Sequence, residues 1–178
     1  MSAVADKSPS QIPLELFRAK YADCKPYYEL LNGEAVQKAM PTDLHSTLQG
    51  VLYTVLKELG FKAKTELTLP ISDIWEPVPD VCGLLAPLGG EPYPISPVAV
   101  AIEILSPGDP FTRVVHKWRR YSQWGVTDVL VFDPIGREAW YWDATTDDLM
   151  SIRQSYAFKS KAVEISLSEV FQRLDVEL

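Results

Sequence analysis

Cysteine is nearly absent. Cys24 and Cys82 are the only two in 178 residues; they lie far apart and form no CxxC pair, which excludes a zinc pattern and a disulfide framework and leaves free buried thiols as the expectation. Long apolar runs are missing as well. None approaches the roughly 18 residues needed to span a membrane, and Met1 to Lys7 lack the apolar core of a signal peptide, so a cytoplasmic location without a membrane partner is expected. Positive charge is in deficit: the formal net charge is −7 and the isoelectric point about 4.8, which argues against broad electrostatic attraction to nucleic acid. Internal repeats, low-complexity tracts and composition breaks are also lacking, so nothing marks a second domain.

What is present suits one compact domain. With 47% hydrophobic and 23% charged residues, a core is affordable over 13–178, preceded by a polar, flexible N-terminus over 1–12. Pro13 to Phe17 can start a short helix. Asn32-Gly33 between Tyr27–Leu31 and Glu34–Ala39 predicts a β-hairpin, because both central residues of a type I′ turn need positive φ. Pro41-Thr42-Asp43 opens a helix that runs to Leu59, with Leu44, Leu48, Val51, Leu52, Val55 and Leu56 at helical spacing and Gly60 as its stop. Strands are expected over 61–69, after Asp80, over 98–105, over 128–134 and over 137–142. A second helix is expected over 110–124. The tail from Leu149 is expected to complete the sheet and close with a short capped helix. The fold class is therefore α/β: a mixed central sheet flanked by helices, with an N-terminal hairpin.

The chemistry concentrates between Pro79 and Lys117. Seven of the eight residues from Val98 to Leu105 are hydrophobic, and Glu103 interrupts them. A carboxylate inside a buried strand needs a cation, a lysine or a metal ion beside it. Asp80 precedes a second apolar run, Val81 to Leu85. On neighbouring strands, Asp80 and Glu103 can converge on one hard divalent ion, Mg²⁺ or Mn²⁺, with the Ile104 carbonyl as a third ligand. Such an ion lowers the pKa of a bound water and neutralises charge developing on a phosphate. The ammonium that this chemistry needs has to come from elsewhere, since Leu105 stands two residues after Glu103. Lys117 lies on the helix that follows, with Arg113 and Arg120 along its side, and a lysine there can reach the carboxylates. Arg113, Lys117, Arg119 and Arg120 give that helix a local positive stripe, with Arg113 and Arg120 as candidate substrate contacts.

These pieces together resemble the Uma-two family of restriction-endonuclease-like proteins, within the PD-(D/E)XK nuclease superfamily. The matching residues are Tyr28-Glu29-Leu30-Leu31-Asn32-Gly33-Glu34, Met40-Pro41, His45, Pro79-Asp80-Val81, Glu103 to Pro107, Lys117, Tyr121, Gly125-Val126 and Val131 to Pro134. The resemblance implies a restriction-endonuclease-like core, Asp80 and Glu103 as metal ligands, Lys117 as a migrated catalytic lysine, and Glu34 as a second-tier acid. It also favours a site role for His45, in contact with phosphate or positioning water, where the residue alone reads equally as a hydrogen-bonded histidine at a helix start. Relatives often carry an aspartate at the place of Arg113, which is a departure here. The function expected is metal-dependent endonucleolytic hydrolysis of DNA by a homodimer, since cutting both strands takes two active sites or two visits. The competing expectation is a catalytically quiet nuclease-fold domain, structural or DNA-binding, in which Glu103 and Lys117 form a buried ion pair. Trp140 and Trp142 share one strand face, where paired aromatics are more often core than base-stacking platforms.

Overall fold

The computed structural model describes residues 11–107 and 111–178, without the side chains of Phe111 and Arg113. The expected flexible start therefore lies largely outside the described residues. The described chain begins with helix α1 (Leu14–Tyr21), followed by strands β1 (Tyr28–Leu31) and β2 (Glu34–Gln37) and helix α2 (Asp43–Glu58). Asn32 and Gly33 take φ of 54° and 80° between β1 and β2, the backbone that the Asn-Gly pair was expected to adopt. The Thr42 side chain accepts from the His45 N–H and caps α2, which satisfies one of the donors left open at a helix start.

Next come β3 (Lys62–Thr65), β4 (Trp75–Glu76), β5 (Val81–Leu84), β6 (Val100–Ile104), α3 (Phe111–Trp124), β7 (Asp128–Asp133), β8 (Glu138–Asp143) and β9 (Asp148–Ile152). Six of these strands form one mixed sheet in the order β3-β5-β6-β7-β8-β9. Within it, β6 and β7 are parallel and α3 is their crossover, as a parallel connection requires. α2 packs on one face over Val81, Ile102, Ile104 and Leu130. The other face, with Cys82, Ala101, Val129 and Val131, is covered by Trp118 and Tyr121 of α3. Leu48, Leu52 and Leu56 of α2 are fully buried, each contributing about 2 kcal/mol of burial free energy.

Three sequence expectations are corrected. The strand expected over 61–69 stops at Thr65, because Glu66 takes φ of 50°, a left-handed backbone that breaks the ladder. The stretch between the strands expected over 61–69 and after Asp80, for which no strand was expected, holds β4, which pairs with β1 in a separate sheet of order β2-β1-β4. The tail from Leu149 completes the main sheet only as far as Ile152, through the edge strand β9; beyond it β10 (Ser155–Ala157) and β11 (Glu164–Ser166) pair only with each other, and α4 (Leu167–Glu177) follows, capped by Ser166. Tyr156 ties that hairpin down by donating its hydroxyl to buried Asp128 at 2.8 Å. The two cysteines are free; Cys82 is buried and Cys24 half-buried.

Candidate active site

Asp80 and Glu103 meet because of sheet register. β5 and β6 are antiparallel with Val81 opposite Ile102 and Cys82 opposite Ala101. One step further, Asp80 stands opposite Glu103, and residues directly opposite each other share a face. That face is the one α3 covers. Lys117 and Tyr121, four residues apart on one side of α3, both reach the glutamate: Lys117 Nζ lies 2.7 Å from Glu103 Oε1 and the Tyr121 hydroxyl donates to the same oxygen at 2.7 Å. The Ile104 N–H donates to Asp80 Oδ2 at 2.7 Å. In an extended residue the carbonyl lies on the same edge of the strand as the N–H, so the Ile104 carbonyl borders the same gap.

The small sheet adds a third acid and a second lysine. Glu29, from the middle of β1, lies 2.6 Å from Lys117 Nζ and accepts the Val78 N–H at 2.6 Å. Lys38, just beyond β2, places its ammonium 2.7 Å from Asp80 Oδ1 and 2.8 Å from the Val78 carbonyl. His45, in the first turn of α2, holds Nε2 3.5 Å from Asp80 Oδ2. Its Nδ1 is buried with no hydrogen-bond partner among the described residues. The cluster thus joins three carboxylates to two ammonium groups, and Glu29, Asp80, Glu103 and Lys117 are all buried. A cavity of about 90 Å³ opens beside them, bordered by Val36, Lys38, Pro41, Ser106 and Val114.

Burial and neighbouring charge compete at every one of these groups. Burial alone would raise the Asp80 carboxyl, but the Lys38 ammonium beside it, helped by His45 and Lys117, holds it well below the usual carboxylate range. For Glu103 burial prevails over the pull of Lys117, and the carboxyl is pushed up to about 7. Burial opposes the charge on Lys117, yet Glu103 and Glu29 hold its ammonium above the ordinary lysine value. The same balance raises Lys38, through Asp80, Glu103 and Glu29. Tyr121 is raised by burial and by Glu103, so it stays a hydroxyl donor.

Of the residues expected from sequence, the structure brings Asp80, Glu103, Ile104, Lys117 and His45 together. Glu34 is not among them. It shares the hairpin face of Glu29 and Lys38 but sits at the turn, exposed and opposite Leu31, about 13 Å along the strand from Lys38. The acid that the hairpin delivers is Glu29. Arg120 is drawn off as well: its guanidinium lies over the Trp75 ring, 5.8 Å from the centroid, and Arg119 pairs with Asp147 and covers Trp142. The expected stripe is therefore divided around the helix. The Arg113 side chain lies outside the described residues. Trp142 is core. Sequence reasoning passed over Glu29, Lys38 and the hydrogen-bonding role of Tyr121. Glu29 carried the same signal as Glu103, an acid among apolar strand residues.

Among the described residues no group of three or more His, Cys, Asp or Glu side chains is gathered closely enough to hold a metal ion. The donors nonetheless fit a hard divalent ion, since Asp80 and Glu103 offer carboxylate oxygens across one strand pair and such an ion needs only one or two carboxylates, with waters completing its shell.

No curated protein matches the chain. Its fold is similar to a crystal structure at 1.96 Å resolution from Anabaena variabilis ATCC 29413 described as a "putative nuclease", with a TM-score of 0.81, 22% sequence identity and coverage of 92% of this chain and 99% of that one. At that identity the likeness concerns the fold. The model of the Uma2 family, described as "Putative restriction endonuclease", matches residues 14–177, and the chain belongs to that family.

Proposed function

We propose that the protein is a divalent-ion-dependent endonuclease that hydrolyses phosphodiester bonds of DNA, with Asp80, Glu103 and the Ile104 carbonyl as ligands of the ion. One observation carries this reading: two carboxylates from neighbouring strands and the ammonium of the following helix converge beside an open cavity. When bound, the ion supplies a water of lowered pKa and neutralises charge on the phosphate. The protein's own groups do the rest. Asp80 is kept ionised and ready to bind a cation. Tyr121 and Lys117 fix the Glu103 carboxylate from two sides. The Lys117 ammonium is assigned to orienting the attacking water and stabilising the phosphate oxygens. His45, adjacent to Asp80, is assigned to phosphate contact. Arg113 is assigned to the DNA backbone, which fixes position rather than sequence. A homodimer provides the second active site for the second strand.

A catalytically quiet domain is favoured by one specific observation. Lys117 already satisfies both Glu29 and Glu103, at 2.6 and 2.7 Å, so a buried ion cluster accounts for these residues without an ion. Mn²⁺ binding decides between the readings, followed by paramagnetic resonance or calorimetry on the parent protein and on Asp80→Asn and Glu103→Gln. The endonuclease reading expects binding in the parent that both substitutions abolish. Failure of the parent to bind at millimolar Mn²⁺ and neutral pH overturns it and leaves the ion cluster as the better account.

A further inference from the structure

Lys38 has no part in the chemistry assigned so far, yet its ammonium is the closest cation to Asp80. Both oxygens of that carboxylate are engaged: Oδ1 with Lys38 Nζ at 2.7 Å, Oδ2 with the Ile104 N–H at 2.7 Å and with His45 Nε2 at 3.5 Å. A carboxylate offers about four acceptor directions, and three are taken. An ion held by Asp80 would have to share Oδ1 with an ammonium, at a separation where like charges repel strongly in a partly buried site. Lys117 presents no such conflict at Asp80, because its partners are Glu29 and Glu103.

Lys38 is also built to leave. It stands one residue beyond β2, where its N–H makes the last hairpin hydrogen bond, to the Tyr27 carbonyl at 2.8 Å. Ala39 and Met40 after it are exposed. Its side chain lines the cavity and retains 14% exposure, against 8% for Lys117, so its flexible stem can carry the ammonium outward while the backbone stays paired.

We propose that Lys38 is a displaceable counter-cation for Asp80, and that it and a divalent ion exclude each other at this carboxylate. The inference rests on the reading of Asp80 and Glu103 as an ion site. Lys38 keeps the acid cluster compensated when no ion is bound and raises the ion concentration needed to load the site. On loading, its ammonium is released toward the cavity mouth, where a phosphate would approach.

The test is Mn²⁺ titration by calorimetry and paramagnetic resonance of the parent, Lys38→Met, Lys38→Gln and Lys38→Arg, with thermal unfolding of each protein with and without Mn²⁺. Methionine matches the length of the lysine stem, and glutamine provides a second neutral variant should methionine fail to fold. The neutral variants are expected to bind Mn²⁺ about tenfold or more tightly than the parent, as removal of a nearby like charge implies, and to gain more in Tm on adding the ion. The arginine variant should bind no more tightly than the parent. Equal or weaker binding by the neutral variants, beside a parent that binds, overturns the proposal and leaves the ion site standing. Absence of binding in the parent overturns the ion site itself, and the proposal with it.

Discussion

Lys117→Met removes the one ammonium that two buried glutamates share while keeping the volume of the side chain. In the native protein Glu29 and Glu103 each lie within 2.7 Å of that nitrogen, with side chains 7% and 9% exposed. Without it, the two carboxylates lose the ammonium they share and keep, among the described residues, only the weaker pull of Lys38, and the least costly escape is the uptake of one further proton. A glutamate with an ordinary pKa of about 4.3 takes about 3.7 kcal/mol to protonate at pH 7 and about 1 kcal/mol at pH 5. The first figure agrees with the roughly 3–5 kcal/mol lost when one partner of a buried ion pair is removed. The sign follows from proton counts: the folded variant holds a proton that the unfolded chain releases above the ordinary glutamate pKa, so its stability falls as pH rises through this range. Urea denaturation of parent and variant at both pH values should give a deficit of about 3–4 kcal/mol at pH 7 that shrinks to about 1 kcal/mol at pH 5. A deficit below about 1 kcal/mol at pH 7, or one equal at both pH values, refutes the picture of a single ammonium compensating two buried acids.

Two further substitutions test the frame that holds the cluster. Asp128 is fully buried and accepts the Tyr156 hydroxyl and the Lys159 and Ser160 N–H groups; Asp128→Asn turns a donor toward one of these donors and should lower stability by about 2–4 kcal/mol in urea denaturation, and a loss under 1 kcal/mol would show that the tail is anchored by other contacts. Gly33 takes φ of +80°, and an added Cβ there would meet Gln11 Cβ at 2.7 Å; Gly33→Ala should destabilise by about 1–2 kcal/mol, with unchanged stability indicating that the hairpin re-forms with another turn.

Much of the fold was readable because its signals are local. Asn32-Gly33 has one favoured backbone, and the leucines of α2 repeat at helical spacing until Gly60. Glu103 stood out because it interrupts seven apolar neighbours. Glu29 carried the same kind of signal inside a strand of only four residues, where alternation reads as well for a half-exposed hairpin, while Glu34 at the turn drew its expected role from the family resemblance alone. Lys38 shows nothing in its own neighbourhood, since its partner lies 42 residues away and only the docking of the hairpin on the main sheet joins them. Arg120 follows Lys117 by three residues and belongs, by spacing, near the same side of the helix. Its capture by Trp75 depends on β4, two residues long and invisible to any periodicity. The register that sets Asp80 opposite Glu103 is likewise a property of two paired strands rather than of either one.

The acid and lysine cluster draws on β1, β6, α3 and the segments just outside β2 and β5, so its full set of ion pairs, Lys117 to Glu29 and Lys38 to Asp80 included, cannot form until the small sheet, the main sheet and the crossover helix have all docked. Contacts of such long sequence separation close late in folding. Interactions absent from the transition state govern the unfolding rate and leave the folding rate almost untouched. The charges that equip the cleft for chemistry therefore also act as a latch on the native state: they determine how long the folded protein lasts, while α2 and the hairpins determine how quickly it is reached.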